Sequence, residues 1–477
     1  MNSIKINTPL LIFITLTILY ILFGYGVTIS NDSVTNVDQI TDLDLWSRSS
    51  HFSFHLFGII FYLIFSKLIG LSAVTSIEVM LAVFGSLGAV SLYLITLKKY
   101  NNANHAIITV VIYSIASGIF RFACQVEYLI LVPSLGLISL FFYSKGQNLI
   151  AGIMFGFGIL TSPFLVLITP MFLLFTSFKE LFKKHNIIFA VSTVAIYLIV
   201  NLFTYEETVS GHWSYGGIFT IIKETISEIN MIRQGSIFVY GYLRSFNIII
   251  FILPFVLYAL YKSNRELFYI FIITILIHLP VTITEARYGG YQMTAYPLIA
   301  IAVGYYFSNL INKRKLMAFI FIALYIIINI YVVYTERSFF RDLKETYVQL
   351  SDNLEDNSVL LVYQAVKPIR NIYAPNLQVH GLLSDYQSHL ARDYPGYVPT
   401  DLAGILNDNE TLYLLESGVS MPDDQLKLLV SQFTKNHGAK VKGFALEKVL
   451  ETDSSLQYEK LENYPLDVYR FTKKYDE

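Results

Sequence analysis

Apolar residues arrive along the chain in blocks of about 20, the length that crosses a bilayer core, with short polar connections between them. The blocks predict eleven spans: 8–28, 73–97, 105–122, 125–143, 148–163, 164–178, 186–204, 246–261, 267–284, 291–310 and 315–334. Thr161-Ser162-Pro163 sets a tight turn between the fifth and sixth, because Pro163 lacks an amide proton and restricts Ser162. One further apolar block, 52–70, would invert every later connection if it crossed. It is read as a juxtamembrane helix at the outer interface, with Lys67 and the histidines toward water. In the polar 205–245 connection, Ile218, Ile221, Ile222, Ile226 and Ile229 recur at helical spacing and predict an amphipathic surface helix, which either caps the bundle or gates a substrate.

Past Thr335 the pattern changes. Apolar runs shorten to strand length at 359–363, 411–415 and 467–471, and 423–433 has helical periodicity. This predicts a small C-terminal α/β domain with a mainly parallel sheet. The expected organisation is a transmembrane domain over 1–335 and a soluble domain over 336–477. The latter carries no G-x-G-x-x-G or Walker loop and is read as accessory or acceptor-binding.

Composition excludes a soluble enzyme. Of 477 residues, 54% are hydrophobic, 15% aromatic and only 14% charged, where soluble proteins carry roughly a quarter charged; mean hydropathy is +0.53. The chain reads as an α-helical polytopic membrane protein. Its basic residues are scattered in short loops, so no nucleic-acid partner is implied. Cys124 is the only cysteine, which excludes an intrachain disulfide. Leu10 to Val27 is too long for a signal-peptide core and lacks an A-x-A-like site, so it is read as a retained first helix. The net charge of −1 hides an asymmetry. Lys5, Lys98, Lys99, Lys145, Lys179, Lys183, Lys184, Lys262, Arg265, Lys313, Arg314 and Lys315 fall on very short connections of one side. Arg48, Lys67, Arg121, Lys223, Arg233, Arg244 and Arg287 are spread over longer connections of the other. The positive-inside rule then puts the N-terminus in the cytoplasm, and the 30–55 connection, the 205–245 connection and the C-terminal domain outside the plasma membrane.

Ionisable residues at a membrane edge are costly and call for a reason. Four places on the expected outer face qualify. Asp32 follows the first span, in a connection that also holds Asp38, Asp42 and Asp44. Arg121 and Glu127 share a tight hairpin, where they could pair with each other. Glu285-Ala286-Arg287-Tyr288 forms another, and Arg287 either snorkels or grips a phosphate by its fork. His51 and His55, spaced by four, share a helix face beside Arg48; a hydrogen-bonding or phosphate-facing role fits better than zinc, for want of a third clear ligand. His212 lies in the 205–245 connection. Together these residues supply a carboxylate to take a proton from an acceptor hydroxyl and cations to stabilise a departing phosphate. A divalent cation (Mg²⁺, Mn²⁺ or Ca²⁺) on Asp32 and Glu127 would serve the second purpose.

In this order the motifs resemble the GT-C superfamily of membrane glycosyltransferases, in particular its protein O-mannosyltransferase-like and aminoarabinose-transferase-like branch. Asn31-Asp32-Ser33 is similar to the G-D-S-like element after the first span. His51-Phe52-Ser53-Phe54-His55 resembles the H-P-x-x-Y-like start of a juxtamembrane helix, without its proline. Glu127-Tyr128 matches an E-x-Y-like element, Gly152 to Pro163 a G-x-x-x-G-x-x-x-L-T-x-P segment, and Ala286-Arg287-Tyr288 to Pro297 an R-Y…P loop and span. The resemblance covers most of 8–334. It implies an inverting transferase that takes a sugar from a polyprenyl-phosphate donor at the outer leaflet, passing it to a glycan, lipid or protein acceptor. Asp32 would be the catalytic carboxylate and Glu127 the second acidic position. Arg287, with Arg121, His51 and His55, would face the donor phosphate, and Glu285, Tyr288 and His212 would line the substrate loops. The first loop lacks the tandem D-E pair of protein mannosyltransferases, so a protein hydroxyl is not singled out as acceptor. Two other readings stay open: an oligosaccharide ligase or polymerase using a lipid diphosphate-linked glycan, and a non-enzymatic lipid transporter.

Overall fold

The computed structural model describes residues 7–28, 31–45, 51–180, 183–203, 241–284, 290–356, 358–362, 372–381, 411–415, 420–421, 444–445, 456–465 and 468–473. The helices run α1 Thr8–Leu22, α2 Asn31–Thr41, α3 Phe52–Phe61, α4 Ala73–Tyr100, α5 Ala103–Ile115, α6 Ser117–Cys124, α7 Leu131–Ser144, α8 Asn148–Thr161, α9 Lys184–Phe203, α10 Ile248–Ser263, α11 Arg265–Thr284 and α12 Tyr296–Asn353. Among the described residues, α4 and α12 are long and apolar enough to cross a membrane. A third span results if α5 and α6, bent by 62°, count as one. Three apolar stretches are bent or interrupted, each for a local reason. Ala116 leaves helical geometry between α5 and α6 (φ −50, ψ 126). Pro163 and Pro170 hold Pro163–Leu174 as a 3₁₀ helix. Arg314 breaks α12 (φ −144, ψ 61) inside the basic run 313–315. Large apolar side chains such as Leu10, Ile14, Val191, Leu198, Phe251, Phe255, Ile320 and Ile327 face outward, as lipid-facing surfaces do. The protein is a multi-pass membrane protein.

Two compact units divide the chain: Met1–Gly26 with Asn36–Arg337, and Val27–Thr35 with Ser338–Glu477. In the first, α4 is the central helix. Its N-cap Ser72 accepts from Thr75 N at 3.1 Å, and Asn101 closes it in the left-handed conformation (φ 49). Helices α8 and α9 meet through glycine. A Cβ on Gly152 would collide with Ser192 Oγ and the Phe189 carbonyl, and one on Gly156 would lie 2.9 Å from Ile196 Cβ. The Gly152-x-x-x-Gly156 pair is therefore a small-residue contact face, reinforced by Thr193 Oγ1 donating to Gly152 O at 3.1 Å.

The stretch after α1, read from sequence as a connection, contains α2. Val34, Val37 and Ile40 are buried at helical spacing and account for it. Block 52–70 is helical, as expected, but His55 turns into the core rather than toward water; α3 runs into a π turn over Tyr62–Leu68, and Gly70 (φ 87) ends it. Phe52 packs with Leu160 and Val200, which ties α3 to α8 and α9.

In the second unit, five strands form one sheet in the order β2-β1-β3-β7-β6: β1 Val359–Val362, β2 Gln378–Gly381, β3 Thr411–Leu415, β6 Leu456–Leu461 and β7 Val468–Lys473. β1 runs parallel to β2 and β3, while β7 is antiparallel to β3 and β6. The sheet is thus mixed where sequence predicts a mainly parallel one, because β7 runs against both of its neighbours. A separate pair joins β4 Ser420–Met421 to β5 Phe444–Ala445. Tyr373 of this unit holds the residues that precede α2: its hydroxyl accepts from Thr28 N at 2.7 Å and donates to Thr28 O at 3.2 Å. The predicted helices over 217–232 and 423–433 lie outside the described residues.

Candidate functional site

One turn of the first unit, Cys124 to Tyr128, collects most of the described chemistry. It exists because α6 stops at Cys124 and the chain goes extended through Gln125 and Glu127 (φ −125 and −151) before the 3₁₀ turn Tyr128–Ile130. Cys124 O accepts from Tyr25 N at 3.1 Å, which docks the exit of α1 on the turn. That exit is held from two more sides: Gly26 N donates to Glu78 Oε1 at 2.7 Å, and Arg337 Nε donates to Gly24 O at 2.9 Å. Glu78, in the second turn of α4, is a buried carboxylate, and bonding the exposed backbone of a helix exit is a reason for it to be there.

Arg121 does not pair with Glu127. Its Nε donates to Gln125 Oε1 at 2.9 Å, and Nη1 sits 3.1 Å from Glu336 Oε1. The same oxygen receives Arg244 Nη2 at 3.3 Å. Two arginines from separate elements thus share one carboxylate oxygen of α12.

A second polar junction holds those elements. Asn329, fully buried on α12, presents Oδ1 to Ser117 N at 2.9 Å and to Asn247 Nδ2 at 3.1 Å. Ser117 opens α6, so its N–H has no acceptor within that helix. Asn247 (φ 33) marks the break before α10. Ser117 Oγ then donates to Arg244 O at 2.8 Å. Asn329 and Glu336 are seven residues apart, two turns, so one face of α12 fills both breaks and meets both arginines.

On the other flank of the turn, the His51 ring stacks on Tyr128 at 3.9 Å and its Nδ1 lies 3.0 Å from Thr161 O. Ser53 Oγ donates to Phe157 O at 2.6 Å. His55, fully buried, places Nε2 3.1 Å from Asn36 Oδ1 of α2. The two histidines therefore serve different neighbours: His51 joins the turn to the end of α8, and His55 fastens α2. Among the described residues, no three His, Cys, Asp or Glu side chains converge on a common metal position.

Glu127 lies on the turn, Arg121 reaches it from α6 through Gln125, and His51 reaches it through Tyr128. Asp32 is the second residue of α2, and its side chain is outside the described set; Arg48, His212, Glu285, Arg287 and Tyr288 also lie outside the described residues. Sequence reasoning missed Glu78, Asn329 and Glu336. The signal was present: each is a polar residue inside or at the end of a long apolar run. It also missed His278 in α11, fully buried, whose ring nitrogens lie 2.8 Å from Thr274 O and 2.7 Å from Thr294 Oγ1.

No protein-family model matches the sequence, and no curated protein matches it either. Solved structures do. ArnT from Cupriavidus metallidurans, crystallised with undecaprenyl phosphate, aligns with TM-score 0.55 at 12% identity, over 97% of this chain and 97% of that one. Its apo form aligns with TM-score 0.54 at 12% identity, over 98% of each chain. The chain has the fold of ArnT. The likeness runs over nearly its full length. The similarity is one of fold, and at 12% identity it transfers no residue.

Proposed function

We propose that the protein is a membrane glycosyltransferase that moves a sugar from a polyprenyl-phosphate donor to an acceptor hydroxyl at the outer face of the membrane. The observation that carries this reading is the near full-length similarity to ArnT, a protein crystallised with undecaprenyl phosphate. The cluster beside the turn at 124–128 supports it, because the guanidinium groups of Arg121 and Arg244 meet there on the Glu336 carboxylate. In this reading the acceptor oxygen attacks the anomeric carbon from the face opposite the phosphate, and the bond from that carbon to the phosphate oxygen breaks. Configuration inverts. Asp32 takes the acceptor proton as the new bond forms, worth about 10²–10⁴ in rate for a placed base. Arg121, with Arg287, stabilises the charge on the departing polyprenyl phosphate. His51 and His55 hold the elements around the phosphate, and Glu285, Tyr288 and His212 line the substrate loops. Asp32 and Glu127 are also the oxygen ligands open to a divalent cation, and chelation separates the roles: turnover lost to EDTA and restored by Mg²⁺ makes them ligands, while untouched turnover leaves Asp32 as base.

The proposed topology has an inner N-terminus and eleven crossings, with 52–70 lying at the outer interface and the C-terminal domain outside. Residues of the two expected sides meet their own kind: Lys99 pairs with Glu266 at 2.9 Å, and Arg121 with Glu336. Labelling of cysteines placed at 40 and 313 tests it; reaction of position 313 from outside overturns it. The transfer reaction is tested by offering a panel of polyprenyl-phosphate sugars to the protein in liposomes. Asp32→Asn is expected to be folded, inserted and inactive. Wild-type turnover by that variant removes Asp32 from its role.

A further inference from the structure

The arginine pair on Glu336 carries an inference that rests on, and sharpens, the assignment of Arg121 to the donor phosphate. Each guanidinium has five N–H donors. Among the described residues, Arg121 meets two acceptor oxygens, from Gln125 and Glu336, and Arg244 meets one, from Glu336. A single carboxylate oxygen between two guanidiniums leaves one positive charge uncompensated and most donors unused. The Arg244 side chain is 44% exposed and that of Arg121 23%, so an anion can reach them from solvent or the lipid headgroup layer.

The arginines also do not depend on Glu336 for their place. Arg244 is fixed through its carbonyl by Ser117 Oγ, Arg121 through Nε by Gln125, and the helix breaks beside them by Asn329. An ion pair that the scaffold does not need can be exchanged. Phosphate is the anion whose chemistry fits: it offers several oxygens and up to two negative charges to paired guanidinium forks.

We propose that Arg121 and Arg244 form a phosphate-binding site and that Glu336 is its built-in occupant, displaced when a phosphate group arrives and returning when it leaves. The carboxylate keeps two partly desolvated cations paired in the empty state and competes with the leaving product, so it favours release. Arg244 and Glu336 are thereby ligand-exchange residues, where a purely structural ion pair would make them a brace.

The test uses the full-length protein in nanodiscs, with a short-chain polyprenyl phosphate as probe and inorganic phosphate as competitor. Glu336→Gln is expected to bind the polyprenyl phosphate more tightly, by roughly tenfold, and Arg244→Ala more weakly by a similar factor, each equal to about 1.4 kcal/mol. Glu336→Asp, which withdraws the carboxylate by one methylene, is expected to shift the same way as Glu336→Gln and serves if that variant does not fold. Inorganic phosphate that competes in wild type assigns the site to phosphate from either source; phosphate that does not compete assigns it to the lipid headgroup. Variants at 244 and 336 with unchanged Kd and only a lowered Tm describe a brace and overturn the inference, leaving the transferase reading intact. A wild-type protein that binds no polyprenyl phosphate overturns that reading, and this inference with it.

Discussion

Replacing Asn329 by Leu keeps the branching and the number of heavy atoms and removes the polar pair. In the wild type, Oδ1 accepts from Ser117 N and Asn247 Nδ2 at the breaks before α6 and α10. Two bonds at a net 0.5–1.5 kcal/mol each give about 1–3 kcal/mol. Hydrogen bonds between membrane helices measure nearer 0.6 kcal/mol, which favours the low end. The orphaned Ser117 N–H adds roughly 1 kcal/mol or more, because its side of α6 is buried. The expected loss is about 2–3 kcal/mol, or a Tm lower by roughly 4–12 °C on the scaling of larger domains. Thermal scanning of the purified protein in detergent reads the first effect. The second is functional: Arg121 and Arg244 lose their common register, so polyprenyl-phosphate affinity falls together with Tm. A variant with wild-type Tm refutes the junction. One with lowered Tm and unchanged affinity refutes the claim that the junction sets the arginines.

Gly152→Leu forces α8 and α9 apart against Phe189 O and Ser192, and is expected to cost upwards of about 2 kcal/mol; a wild-type melting curve contradicts the packing. His51→Ala removes the stack on Tyr128 and the contact with Thr161 O, worth about 1–2 kcal/mol, and is expected to raise KM for the lipid donor; Tyr128→Phe, which keeps the ring, leaves it unchanged in a steady-state assay. Tyr373→Phe removes the acceptor of Thr28 N and is expected to lower kcat several-fold by loosening the segment before Asp32, with KM for the donor unchanged; equal kcat values show that segment to be held without it.

The membrane class and the run of apolar elements were legible because periodicity and block length report directly on lipid burial. Of the candidate site, the tight hairpin that carries Arg121 and Glu127 was legible, since the apolar blocks end on either side of it. Three features were not. The 62° bend after Ile115 and the interruption at Arg314 arise from single residues leaving helical φ/ψ, which hydropathy averages away. The helix over Asn31–Thr41 hides in a polar stretch, since only Val34, Val37 and Ile40 carry its stripe. The partner of Arg121 lies more than 200 residues downstream, and local spacing offered Glu127 instead. Buried Asn329 and Glu78 show the remedy: a polar residue in a long apolar run marks a place where broken backbone needs a partner.

The most direct measurement is sugar transfer by the purified protein in liposomes, with radiolabelled polyprenyl-phosphate sugars offered to wild type and Asp32→Asn side by side. Wild type is expected to release polyprenyl phosphate and label an acceptor with inverted configuration, while Asp32→Asn binds the donor and falls by about 10²–10⁴ in rate. Equal turnover by the two proteins, or no turnover with any polyprenyl-phosphate sugar despite a folded protein, contradicts the proposal.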